Sequence, residues 1–168
     1  MQETRSYILT LDRVSKAVNK LPARAATEAV NFSKERFRAQ NWIDNSTQPW
    51  EKRKVVKNES NRKSGRATLV DTGRLRRSIR KVRVSKTSAI IGTDVPYAEA
   101  HNDGYRGRVK QRVRAHTRTT IHGKVNVKTH SRVINLNLPR RRFIGNSAQL
   151  EKQITRMMTL EIRRAINV

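Results

Sequence analysis

The chain has 168 residues, 38 Lys and Arg against 13 Asp and Glu, no cysteine and a formal net charge of +25. That length allows one domain with extensions and a thin core, and the lack of cysteine excludes disulfides and thiolate chemistry. The charge exceeds what solubility needs and points to a polyanion, first nucleic acid and then an acidic protein surface, whereas no apolar run approaches the roughly 18 residues of a membrane-spanning helix.

In chain order, residues 1–11 hold a brief apolar run, Tyr7-Ile8-Leu9, that reads as an edge strand or an arm, too short and too soon followed by charge for a signal peptide. From Val14 the apolar residues Val18, Leu21, Ala25, Ala29 and Phe32 recur at threes and fours, the helical period. Pro22 lacks an amide proton and clashes with the preceding turn, so the pattern predicts a short helix near Asp12 to Asn19 and a long one from Pro22 to about Asn41. Between Asp44 and Thr68 the periodicity disappears into polar residues, which predicts a long loop over 44–68. Trp50, its only large apolar residue, reads either as a plug onto the body or as a partner contact.

Leu69 to Gly104 is where capping, strand and periodicity signals agree. Asp71 is placed to cap a short helix by accepting the Arg74 amide, with Leu75 and Ile79 on one face. Ile79 to Val84 and Ala89 to Gly92, joined by Ser85-Lys86-Thr87-Ser88, read as a hairpin. Pro96 suits the first turn of another short helix and Gly104 its stop.

Tyr105 to Arg142 carries twelve Lys or Arg and no acid. Val109, Gln111, Val113, Ala115 and Thr117 alternate with Lys110, Arg112, Arg114, His116 and Arg118; after a turn at His122-Gly123, Val125, Val127, Thr129, Ser131 and Val133 alternate with Lys124, Lys128, His130 and Arg132. This predicts a hairpin over 105–138 with one apolar or small face and one cationic face. At Ile134, Leu136 and Leu138 the apolar phase shifts by one residue, which implies a bulge or a new strand. After Pro139 and a basic connector, Ser147 is placed to cap a final helix striped by Leu150, Ile154, Met157, Met158, Ile162, Ala165 and Ile166. The fold class is α+β in a single domain, residues 1–168: two main helices packed on a small antiparallel sheet, with a long loop and a protruding basic β-hairpin.

Reaction chemistry has little footing. His101, His116, His122 and His130 invite a metal, but His116 and His130 sit among cations, and no metal or other cofactor is expected. Asp94, Glu99 and Asp103 could serve a metal-dependent nuclease, yet capping and pairing with Arg106 or Arg108 explains them more simply. No nucleophile elbow or phosphate loop is present, so no enzyme is expected. The hairpin cations Arg108, Lys110, Arg112, Arg114, Arg118, Lys124, Lys128 and Arg132 instead suit contact with a DNA backbone or a protein partner. With no aromatic residue between Arg106 and Pro139, single-strand stacking is not expected. On charge alone, a free nucleic-acid-binding protein remains an alternative.

Three segments in order, Leu69-Val70-Asp71-Thr72-Gly73-Arg74-Leu75-Arg76-Arg77-Ser78-Ile79, then Ile91-Gly92-Thr93 with Tyr97-Ala98 and His101-Asn102-Asp103-Gly104, then Pro139-Arg140-Arg141-Arg142-Phe143-Ile144-Gly145, resemble the phage virion morphogenesis or tail completion family. The resemblance implies a virion protein of the neck or tail, assembled in the host cytoplasm as a homo-oligomeric, commonly hexameric ring through which duplex DNA passes. Its implied neighbours are an adjacent neck or portal-side protein and a tail terminator or tail tube protein.

Overall fold

A computed structural model describes residues 2–53 and 67–167, with the backbone alone for residues 2–6. The architecture is α+β: the described residues form four helices and eight short strands, the strands forming four separate two-stranded antiparallel ladders. The long helix α1 (Gln2–Ala39) runs without interruption through Pro22. The expected split into two helices, and the strand or arm at residues 7–9, are therefore corrected. Physically, one missing N–H costs a single hydrogen bond, while the apolar stripe Tyr7, Leu11, Val14, Val18, Leu21, Ala25 stays in helical phase across the proline. Burial of Leu21, Ala26, Val30, Phe32 and Phe37 holds the second half.

The helix ends at Gln40, whose φ of 55° is of the kind usually taken by glycine. The Gln40 side chain accepts the Thr68 amide at 2.6 Å and donates to the Thr68 carbonyl at 3.1 Å. It thus joins the two ends of the excursion that the sequence marks as a loop. Part of that excursion is ordered as a small ladder, β1 (Asn41–Ile43) with β2 (Thr47–Pro49), and residues 54–66 lie outside the described residues.

Next come α2 (Arg74–Ser78), the hairpin β3 (Arg80–Val84) with β4 (Ala89–Gly92), and α3 (Ala98–Asn102). The expected hairpin is present, and Leu75 and Ile79 are both buried. The cap differs from expectation: Gly73, at φ 76°, precedes α2, and the Arg74 amide donates to Thr72 Oγ1 at 3.3 Å. Asp71 stands too far back once Gly73 turns the chain into the left-handed region.

α4 (Ala148–Ile166) starts as its sequence predicts, with Ser147 Oγ accepting the Leu150 amide. Ser147 also donates to the Ile43 carbonyl at 2.7 Å, and Asp44 Oδ1 accepts the Ala148 amide at 2.7 Å. By Glu161 the helix has reached Arg24, with which it forms an ion pair. It therefore runs back along α1 and packs on it. The core lies where α1, α2, β4 and the segment after the second hairpin meet: Val30, Phe37, Trp50, Leu75, Ile79, Val95, Ala98 and Phe143 form one buried cluster.

Replacing Pro22 by Ala restores the missing helix bond and should stabilise the protein by about 1–3 kcal/mol. A higher denaturation midpoint in urea is the expected reading; an unchanged or lower one would show that α1 needs the proline to fit α4.

Candidate functional site

Residues of α3 and of the segment after the second hairpin converge at the base of that hairpin. Asn102, at the end of α3, accepts two backbone amides with one side-chain oxygen, those of Phe143 and Ile144, each at 3.0 Å. The neighbouring His101 carbonyl accepts the Arg141 amide at 2.9 Å. Between these lies Gly104, at φ 81°, where an added Cβ would stand 3.1 Å from both the Leu138 carbonyl oxygen and the Arg140 nitrogen. Only glycine allows both the turn and so close a return of the chain. The strand leaving α3 and the strand returning to Pro139 are thereby stitched together at their roots.

Trp50 completes this anchor. Its ring meets Phe37 edge-on at 5.5 Å, Phe37 in turn contacts Phe143 at 5.0 Å, and the Trp50 indole N–H donates to the Arg142 carbonyl at 2.9 Å. At 7% exposure Trp50 is a plug, with little surface left for a partner. Arg141 is also buried, and its Nε donates to the Glu51 carbonyl at 3.0 Å. From sequence Arg141 reads as part of a basic connector. The signal that places it inside is its spacing from Phe143, since alternate residues of an extended segment share a face. Burial lowers the Arg141 pKa against the opposing influence of Glu51. Burial first, and Arg141 second, hold the His101 imidazole below its ordinary range.

A cavity of about 470 Å³ opens beside this anchor, lined by the run from Leu69 to Leu75 together with Tyr97, His101 and Arg141 among others. The three segments that carried the family resemblance are therefore brought to one place. Asp94, Glu99 and Asp103 do not form a site. Asp94 pairs with Arg80 at 3.4 Å, Asp103 accepts from Asn102, and all three carboxylates are exposed. Among the described residues no group of three or more potential ligands could hold a metal ion. His116 and His130 lie against backbone carbonyls, of Arg114 and Lys128 respectively.

Above the anchor rises the hairpin. Its inner ladder pairs β5 (Tyr105–Val113) with β8 (His130–Leu138), and its outer ladder pairs β6 (His116–Thr120) with β7 (Gly123–Val127). The turn is Ile121-His122, and Gly123, at φ 111°, opens the return strand. Register continues unbroken between the ladders, because Val113 opposes His130 and, three residues further along each strand, His116 opposes Val127.

This register corrects the predicted faces. Directly opposed residues share a face. Arg106, Arg108, Lys110 and Arg112 therefore share theirs with Asn137, Asn135, Val133 and Ser131, while Tyr105, Gly107, Val109, Gln111 and Val113 share the other with Leu138, Leu136, Ile134, Arg132 and His130. Arg132 is thus on the far side from Lys110 and Arg112, where its Nε donates to Gln111 at 2.9 Å. In the outer ladder Arg118 opposes Val125 and Lys124 opposes Thr119, so these two cations also lie on different faces. Arg114 and Lys128 fall in the gap between ladders. The cause is the two-residue turn: pairing Thr120 with Gly123 sets the cationic row of one strand beside the apolar row of the other. The phase change at Ile134 needs no bulge, since β8 stays in register throughout, and it moves the apolar residues to the face of Val109. All eight cations singled out from sequence are exposed. Neither they nor Arg106 form an ion pair among the described residues, so the expected pairing of Arg106 or Arg108 with the nearby carboxylates is absent there.

A rigidly rooted projection with one strand-length row of unpaired cations is the equipment of a binding or assembly subunit. Residues 4–162 match the phage virion morphogenesis family, and the chain belongs to that family. It is a phage structural or assembly protein. No curated protein and no solved structure matches it.

Two measurements check the anchor. Trp50→Ala removes a buried indole and leaves the Arg142 carbonyl unpaired, at an expected cost of about 3–5 kcal/mol in chemical denaturation, with Trp50→Phe less affected. Because the folded His101 pKa is depressed, its contribution to stability is complete above about 6.5 and declines as pH falls through that value. The difference in denaturation midpoint between the wild type and His101→Gln should therefore shrink from pH 7.5 to pH 5; a constant difference would contradict the assignment.

Proposed function

We propose that the chain is a tail completion or head–tail connector subunit of the virion neck or tail, a non-enzymatic protein that forms a ring, commonly of six copies, through which duplex DNA passes. The observation that carries this reading is the hairpin of 105–138, which holds nine Lys or Arg and no acid. Family membership supplies the setting of virion assembly, and the charge supplies the partner. Arg106, Arg108, Lys110 and Arg112 recur about 6.8 Å apart on one face, a spacing that follows phosphates without reading bases. Such a row suits either DNA in the channel or the acidic surface of an adjacent ring: a neck or portal-side protein, a tail terminator or a tail tube. Two-stranded ladders with open edges also suit a protein completed by its neighbours. No helix among the described residues is long and apolar enough to cross a membrane.

The second reading, a free protein that binds nucleic acid through backbone contacts, rests on the same charge. Sizing of the purified chain, alone and with neck or tail proteins, separates the two: a ring, or entry into a larger assembly, is expected, whereas a persistent monomer absent from particles would overturn the connector role. For the DNA contact itself, Arg106, Arg108, Lys110 and Arg112 replaced together by Ser should leave folding intact, since all four are exposed. If each neutralises one phosphate, the slope of log affinity against log salt should flatten by about 3–4. An unchanged slope would exclude this face from DNA.

A further inference from the structure

Among the described residues, two apolar faces are covered only in part. The first is the N-terminal arm of α1. Tyr7, Leu11, Val14 and Val18 continue the stripe of Leu21 and Ala25, but α4 is only 19 residues long and reaches Arg24 by Glu161. At 1.5 Å per residue, its last five residues extend only about 7.5 Å further, leaving the stretch from Tyr7 to Val18 beyond its reach. Tyr7, Leu11 and Val18 are accordingly 66%, 51% and 44% exposed. The second is the face of the inner ladder that carries Tyr105, Val109, Ile134, Leu136 and Leu138, of which Tyr105 is 39% exposed and the other four are half-buried. β5 and β8 pack on each other, and no other described element packs closely against them.

We propose that these two faces are the halves of one contact: the α1 arm of one copy lies on the apolar face of the hairpin base of the next. The proposal rests on the ring reading, which requires copies to meet. Charge selects where they can meet, because two molecules at +25 repel each other over most of their surface. Both faces carry less charge than the cationic face of the hairpin. On the ladder, the only cation of that face outside its terminal His130 pair is Arg132, held by Gln111, while the opposite face carries four. On the arm, Asp12 and Lys16 neutralise each other at 2.6 Å, and Arg13 bonds to the Leu9 carbonyl and to Thr10. Length agrees as well. Tyr7 to Val18 spans about 16 Å of helix, and Tyr105 to Val109, opposed by Leu138 to Ile134, about 14 Å of ladder. Helix against ladder is a head-to-tail contact, the kind that closes into a ring when the rotation between copies allows. Four or five side chains a side fall short of the roughly 1,200 Å² of a stable stand-alone interface, so a pair is weak and the closed assembly, with two contacts per copy, is the stable form.

The cysteine-free sequence offers a clean test. Single variants Leu11→Cys and Leu136→Cys of the full chain are prepared separately, mixed and mildly oxidised. The mixture should give a disulfide-linked dimer roughly fivefold or more above either variant alone, because the contact raises the effective concentration of one thiol near the other. Leu11→Cys mixed with Thr159→Cys, an exposed position on α4, is the control. A dimer yield no greater than this control overturns the proposal. If wild-type rings are nonetheless seen by sizing, the ring stands and the contact falls. The double variant Leu11→Cys/Leu136→Cys should give a ladder of cross-linked species ending at the ring number; a ladder without an end would support the contact while overturning the closed ring.

Discussion

The structure depends on one side-chain oxygen. Asn102 Oδ1 accepts the amides of Phe143 and Ile144, and by doing so holds the outgoing and returning ends of a thirty-odd-residue hairpin against the core. Each such bond contributes only about 1 kcal/mol net, but leaving a buried amide unpaired costs about 1–3 kcal/mol, so the arrangement resists partial loosening. The backbone so held carries the Phe143 ring into the aromatic cluster with Phe37 and Trp50. The Trp50 bond to the Arg142 carbonyl and the Arg141 bond to the Glu51 carbonyl tie the same segment to the chain after β2. Packing and hydrogen bonding therefore converge on the point from which the hairpin projects.

From that root follows a division of labour by charge. The core is apolar and the helix pair is joined by the Arg24–Glu161 ion pair, while the hairpin concentrates cations where nothing in the described chain neutralises them. An isolated protein gains nothing from such a projection, since self-repulsion opposes compactness and a two-stranded ribbon is marginal alone. A neighbour that brings negative charge or a sheet edge turns the same features into binding energy. Membership of a virion morphogenesis family gives these features a setting in phage assembly.

The legible parts of the sequence were those set by short-range physics. Ser147 as a cap, the hairpin from Arg80 to Gly92 and the stripe of α4 each rest on residues within a turn or a strand of one another. Pro22 misled because a local rule was outweighed by an apolar stripe in phase on both sides of it. Asp71 misled by two residues, because Gly73 turns the chain before the helix begins. The faces of the basic hairpin could not be read by matching apolar rows with apolar rows; the length of the turn fixes which rows meet, and a one-residue difference there exchanges the faces. Arg141 and Trp50 were visible as residues, but their partners, Glu51 and Arg142, lie 90 and 92 positions away in the chain. No local pattern specifies contacts at that separation.

In the proposed function the anchored hairpin presents the row Arg106, Arg108, Lys110 and Arg112 to a polyanionic or acidic neighbour within the assembled particle. Imaging of the intact neck and tail at side-chain resolution tests it most directly. The expected result is this chain in a closed ring, with the Asn102 anchor intact and that row of cations against DNA or against acidic side chains of an adjacent layer. A hairpin pointing into bulk solvent with the row uncontacted, or particles lacking the chain altogether, would contradict it.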